Sequence, residues 1–420
     1  MQSTQTPIEE PRLPLFKEPN ILGYLGGQLI SLSGSTLQIS VISLMIVAIV
    51  GKELAPAIIG DVIAAGYLPG VFLAIFAGIW LDTVNMLKVL KATSVLGAIQ
   101  GFTLAYLAMG DVHSISILQL KGLSIFLGFV NAIDAVARNG VQSHILVDRR
   151  NTQKAATLFT SLYIFAQVIG GGMAAFLISH IGYASTYAIN GISYLVLILT
   201  LGRIKYIRRK ASGPWPKTPN WKESIREGAK HTFCEPGIRI CIILTALLCI
   251  FGFSYNALLP IIAKGPMFNG GNELYSQFAA WAGIGSLLAC GITLIFGKKL
   301  RMLVVSGNLI LGTNLVLLAK TSDAHAAKII MFFIGLGCML SLITTRTAIT
   351  HIAAETAKHC AARVQGFTIT IFFGGMMIGS YAAGHIAKAY GCPVVLMFCG
   401  IAVIAIALVT PIMPGADEIK

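Results

Sequence analysis

Twelve mostly apolar stretches of about 20 residues or more follow one another along the chain, near 21–49, 56–81, 87–110, 116–139, 154–179, 183–204, 238–263, 274–297, 301–320, 327–350, 363–387 and 392–413. Each is long enough to cross a hydrocarbon layer of roughly 30 Å as a helix. A water-soluble fold does not tolerate this composition, with 55% hydrophobic residues, 11% charged residues and 44 glycines among 420. In lipid the backbone must satisfy its own polar groups, and for runs this long that means helices rather than barrel strands. The expected fold class is therefore an all-α membrane protein with twelve transmembrane helices. Residues 1–20 hold Glu9, Glu10 and four prolines with no apolar core, so they do not read as a signal peptide.

The net charge of +14 suggests nucleic acid until its placement is considered. Assigned to alternate loops, 23 Lys and Arg fall on the side of both termini and 6 on the other, with Arg138 and Arg346 left in or at the edge of spans. By the positive-inside bias the termini are expected in the cytoplasm, and the basic load is a topology signal. Residues 207–236 form the one long polar connection and divide the chain into 1–206, the connection, and 237–420. Trp215, Trp221 and Lys222 suit an interfacial segment.

The halves read as repeats. Arg138 and Arg346 stand 208 positions apart near the ends of spans four and ten, and Asp61 and Glu273 stand 212 apart at the openings of spans two and eight. Gly170 to Gly172 in span five match Gly374, Gly375 and Gly379 in span eleven. Such spacing predicts two six-helix bundles related by a pseudo-twofold axis along the membrane normal. The glycines read as close helix contacts.

Asp134 and Arg138 lie in a stretch, FVNAIDAVARNGVQSHI from Phe129, that otherwise reads as membrane span. A charge at the bilayer centre costs roughly 2.5–3.5 kcal/mol, so it faces protein or an interface and takes a partner. Four residues apart, the two share a helix face in the favourable order of acid before base. Two readings are open: an arginine reaching the cytoplasmic interface with its counter-ion, and a moving gate. Asp61 and Glu273 are expected at the periplasmic mouth, as solvated helix starts or as an electronegative exit.

For a central cavity the candidates are neutral. Gln28, Ser31, Ser35 and Gln38 form a stripe on span one, Tyr163 and Gln167 share a face of span five, and Tyr255 and Asn256 precede Pro260 in span seven. The same residue types also make hydrogen bonds between helices. Lack of central charge favours a polar or amphipathic substrate over one held by full ion pairing. No phosphate-binding glycine loop is present, and the eight cysteines, all after residue 233, lack zinc-type spacing; no cofactor and no metal are expected. A membrane enzyme using His144, His351, His359 and Asp134 is the alternative of another class.

Four short motifs carry a resemblance. GIWLDTVNMLK (78–88) is similar to the major facilitator signature between spans two and three, and NAIDAVARNGVQSHIL (131–146), INGISYL (189–195) and ARVQGF (362–367) resemble the branch of enterobactin-type siderophore exporters and macrolide or multidrug efflux proteins. The resemblance covers about residues 20–413. It implies export of a siderophore or drug from a cell's inner membrane in exchange for protons, by a monomer whose partners are a small substrate and membrane lipid. Asn131 joins the cavity candidates. A cytoplasmic latch is implied from Gly78, Asp82, Lys88, Asp134, Arg138, Arg346 and Arg363, with Asp82 accepting from the start of span eleven. The sequence departs from the pattern at Thr83, Met86 and Leu87, where basic residues belong, at Gln167 and Gly171 in place of Arg and Pro, and at Ser35 in place of an acid. An uptake permease is the alternative within the class.

Overall fold

Two glycines organise the first half of the molecule. α1 (Ile21–Leu81) bends at Gly51 (φ 76°, ψ 171°) and α4 (Thr152–Arg203) at Gly182 (φ 75°, ψ 176°), so each helix holds two crossings joined without a loop. That conformation is open to glycine and costs an L side chain about 1–3 kcal/mol. The computed structural model describes residues 14–81, 84–146, 152–204, 221–296, 299–356, 361–413 and 415.

Between the kinked helices, α2 (Met86–Leu107) starts at Asn85, whose side chain accepts from the Leu87 and Lys88 amides, and α3 (Ile117–Ile145) starts at a capping box of Ser116 and Gln119. The second half follows α5 (Trp221–Cys234). α6 (Pro236–Leu247) and α7 (Tyr255–Lys264) make one crossing, interrupted by a π turn over Leu248–Gly252 and carrying Pro260 inside α7. Then come α8 (Gly271–Phe296), α9 (Leu300–Lys320), α10 (Ala324–Thr356), α11 (Ala361–Tyr390) and α12 (Cys392–Val409). Asp323 accepts from the His325 and Ala326 amides ahead of α10, and those N–H groups hold its carboxyl below the usual range. Among the described residues nine segments are long and apolar enough to cross a membrane; two are the kinked double crossings, and α2, made less apolar by Lys88, Lys91 and Gln100, completes twelve.

The two six-helix halves meet along two seams. In one, span two lies on α11 so closely that a side chain on Gly60 would meet the Ser380 carbonyl at 2.6 Å. In the other, span five lies on α8, where Ser276 Oγ accepts from the Ala175 amide at 2.9 Å. A twofold axis that carries span two onto eight and span five onto eleven exchanges these seams, which is the expected pseudo-symmetry. The small residues at both seams allow the approach, as in other membrane helix contacts.

The core is shared at one end only. Toward the Gly51 and Gly182 face, residues of both halves form one cluster that includes Leu44, Ile59, Tyr187, Leu258, Phe278 and Met331. Toward the face that carries Asn20, Asn85 and Pro236, each half packs by itself, around Tyr24, Leu90, Ala137 and Phe159 in the first and Ile238, Cys241, Ile349 and Val364 in the second. The halves thus part toward this second face, called here the terminal face, and join at the opposite one.

Of the connection, residues 207–220, Trp215 among them, lie outside the described residues. The remainder is the helix α5, docked on α11: Glu227 pairs with Arg363, Phe233 meets Phe367 edge-on at 6.1 Å, and Gly228 sits under the Arg363 stem. This helix of the connection packs on the second half.

Candidate functional site

Asp134 and Arg138 form the expected ion pair, and the contacts around it lie within the first half. Both side chains are almost wholly buried, Arg138 also bonds the Gln28 side chain, and Asp134 Oδ1 accepts from Thr93 Oγ1 at 2.8 Å. The Arg138 side chain is only 13% exposed. These contacts tie spans one, three and four of the same half together, so they clamp a bundle rather than bridge two. Tyr24 adds its hydroxyl to the Arg138 carbonyl at 3.4 Å.

The polar stripe on span one turns inside its own half, Gln28 toward Arg138 of span four and Ser35 and Gln38 toward span six. Gln28, Ser31 and Gln38 are buried; Gln38 Oε1 accepts from Asn190 Nδ2 at 2.6 Å, and Ser35 meets the Tyr194 hydroxyl at 2.9 Å. Polar periodicity identifies a face but not the neighbour it meets. Asn190 and Tyr194 lie four apart in INGISYL, one face of a helix, and that spacing was the available signal. Replacing Asn190 by Ala leaves the buried Gln38 carbonyl unpaired, a cost of about 1–3 kcal/mol. The expected result is a lower unfolding midpoint with transport retained, read by thermal scanning of the purified protein. Tyr255 is likewise withdrawn into the core, bonded to the side chain of exposed Asn256.

The cleft between the halves is lined differently. Tyr163 on span five is 47% exposed although it sits within an apolar span. Arg346 on α10 is exposed too; its guanidinium lies 4.8 Å over the Phe372 ring, with Tyr163 and Cys249 within electrostatic range. Tyr67 and Phe373, 5.9 Å apart, and Phe372, 6.0 Å from Phe373, continue this wall. Asn131, exposed, shares the face of α3 that carries Arg138 two turns on, and Gln167 is half-buried one turn beyond Tyr163. A cleft free of charge was expected. Arg346 gives it one, because the residue lies about 15 Å inside the terminal end of α10 rather than at the edge of a span.

The matched acids part company. Glu273 is an exposed first-turn residue of α8, as expected, accepting from Gln277 Nε2 at 3.1 Å. Asp61 does not open its span: the helix restarts at Gly51, placing Asp61 about 15 Å along it. There Oδ2 takes Lys121 Nζ at 2.7 Å and Oδ1 takes His385 Nε2 at 2.9 Å. Lys121 belongs to span four and His385 to α11, so this is the one acid–base contact between the halves among the described residues. Neither partner was singled out from sequence, since they stand 60 and 324 positions away.

A family model described as transmembrane secretion effector matches residues 26–416. The chain belongs to that family. A search of curated protein sequences found no match. Among solved structures it resembles a D-xylose–proton symporter, with a TM-score of 0.72 at 13% identity over 96% of this chain and 99% of that one. The nucleoside transporter NupG gives 0.68 at 16% identity over 93% and 98%, and an inward-facing, unoccupied bacterial homolog of the human lysosomal transporter Spinster gives 0.65 at 15% over 96% and 97%. Identities this low establish the major facilitator fold alone.

For this secretion effector family member, the latch residues of the signature are placed only in part. Gly78 lies in the last turn of α1, Lys88 is exposed in the first turn of α2, and Asp82 lies outside the described residues. Arg363, expected at the latch, is held by Glu227 of α5. Among the described residues no group of three His, Cys, Asp or Glu side chains is placed to hold a metal ion.

Proposed function

We propose that this major facilitator protein is a secondary transporter of an inner membrane that exports a small amphipathic molecule in exchange for protons, by alternating access. The observation that carries the reading is the core shared at one face and divided at the other, with Tyr163 and Arg346 opening into the gap. The excess of Lys and Arg on the terminal face supports placing that face, and both termini, in the cytoplasm; the cleft then opens inward. The family's description supports the outward direction.

Proton exchange rests on Asp61. Its carboxylate ties span two to α11 through His385 at the closed face. A proton arriving from that face neutralises the carboxylate, loosens both Lys121 and His385, and frees the seam to open. Substrate leaves by the same route, and loss of the proton to the cytoplasm resets the closed face. His, Lys and Asp are each expensive inside a membrane protein and cluster on ion pathways when present.

The test uses spent medium from a strain lacking the gene, compared with its parent, to find the missing compound, followed by inside-out vesicles carrying the full chain. Accumulation of that compound driven by an acidic vesicle interior is the expected outcome. Accumulation in right-side-out vesicles instead would establish uptake, and chemical turnover without movement would establish an enzyme.

A further inference from the structure

The two halves place an arginine at matching points of their repeat, and they treat it in opposite ways. Arg138 has Asp134 one turn before it and is neutralised inside its bundle. The residue one turn before Arg346 is Leu342. Among the described residues Arg346 has no carboxylate partner and no side-chain hydrogen bond; the Phe372 ring covers one face of the guanidinium, and the rest opens to the cleft. A guanidinium left without a counter-ion within a membrane bundle is tolerated where water or a ligand reaches it, and such residues mark substrate paths.

Its surroundings suit an anion with an apolar body. Arg346 lies about 15 Å from the terminal end of α10, and Phe372 and Tyr163 each lie about 16 Å from the terminal ends of their own helices, so the three are level. Tyr163 comes from the opposite half, and its hydroxyl makes no hydrogen bond among the described residues. With Phe372 against one side and no side-chain hydrogen bond among the described residues, the Arg346 guanidinium has its fork of donors free to take a carboxylate or phosphate with two parallel bonds. Tyr67 and Phe373 supply aromatic surface beside it.

We propose that Arg346 is the anion-binding residue of the transport cleft, and that the substrate carries a carboxylate, phosphate or sulfonate on an aromatic or aliphatic frame. The proposal rests on the transporter reading above. It gives the cleft a charge requirement that the neutral candidates do not.

The probes are 2-naphthoate, its neutral amide and 2-naphthylmethylammonium, measured by equilibrium dialysis against the full-length protein in zwitterionic lipid nanodiscs, with empty nanodiscs subtracted. The wild type should hold naphthoate at least ~10-fold more tightly than the amide and the ammonium least well. Arg346→Gln should erase that preference and Arg346→Lys keep part of it. As a second readout, Tyr163→Cys in a Cys234→Ser, Cys360→Ser background should react faster with an anionic than with a cationic methanethiosulfonate, and adding Arg346→Gln should cut that ratio several-fold. Equal binding of acid and amide by the wild type, or a preference that survives Arg346→Gln, overturns the proposal. Because the binding assay needs no transport, an anion preference without vesicle transport would refute the transporter reading alone. Transport without an anion preference would refute this inference alone.

Discussion

Asp61→Asn is expected to abolish proton-driven accumulation and to open the closed face. The substitution keeps the shape of the side chain and removes the charge that both Lys121 and His385 contact. Each contact to a charged group contributes about 1.5–3 kcal/mol when buried. These side chains are a quarter to two-fifths exposed, so about 1–2 kcal/mol for the bridge to His385 is the appropriate scale. Two conformations that differ by a few kcal/mol respond strongly to such a loss, since ~2 kcal/mol shifts their ratio about 30-fold. Spin labels at Leu54→Cys and Lys388→Cys report the seam. In the wild type the label distance should lengthen as the pH falls and the carboxylate takes up its proton; in Asp61→Asn it should be long at every pH. Unchanged distances with transport intact would remove Asp61 from the coupling path.

That residue also shows what the sequence could and could not disclose. The twelve spans, the two bundles and the match of Arg138 with Arg346 are legible because run length, loop charge and repeat spacing are one-dimensional properties. Depth within a span is not one of them. Asp61 looked like a helix opening because the apolar run begins near residue 56, whereas the helix begins at Gly51, where positive φ turns the chain. The neighbours of a side chain are equally hidden: Gln38 found Asn190 at a separation of 152 residues, and Asp61 found His385 at 324. Lys121 counted only as a minority charge on the outer side. Arg346 shared its type and repeat position with Arg138, and only the geometry shows that one is paired and the other open to the cleft.

The clamp around Asp134 should govern stability more than gating. Asp134 and Arg138 are buried, bonded to each other and supported by Thr93 and Gln28, with each contact inside the first half. Asp134→Asn leaves the guanidinium uncompensated, and Arg138→Gln leaves the carboxylate so; either costs about 3–5 kcal/mol, because a buried charge that loses its partner retains its desolvation penalty. Replacing both together, as Asp134→Leu with Arg138→Met, removes both charges at once. It should cost far less than the two single changes combined, since the pair behaves as one unit. Unfolding midpoints of the four proteins in detergent measure this, and spin labels across the two seams measure gating in the same samples. The expected pattern is low midpoints for the single variants, a partly restored midpoint for the apolar pair, and seam distances that do not move in any of them. Were the distances to shift while the midpoints held, the pair would be a gate after all, and its burial within one bundle would describe only the inward-open state.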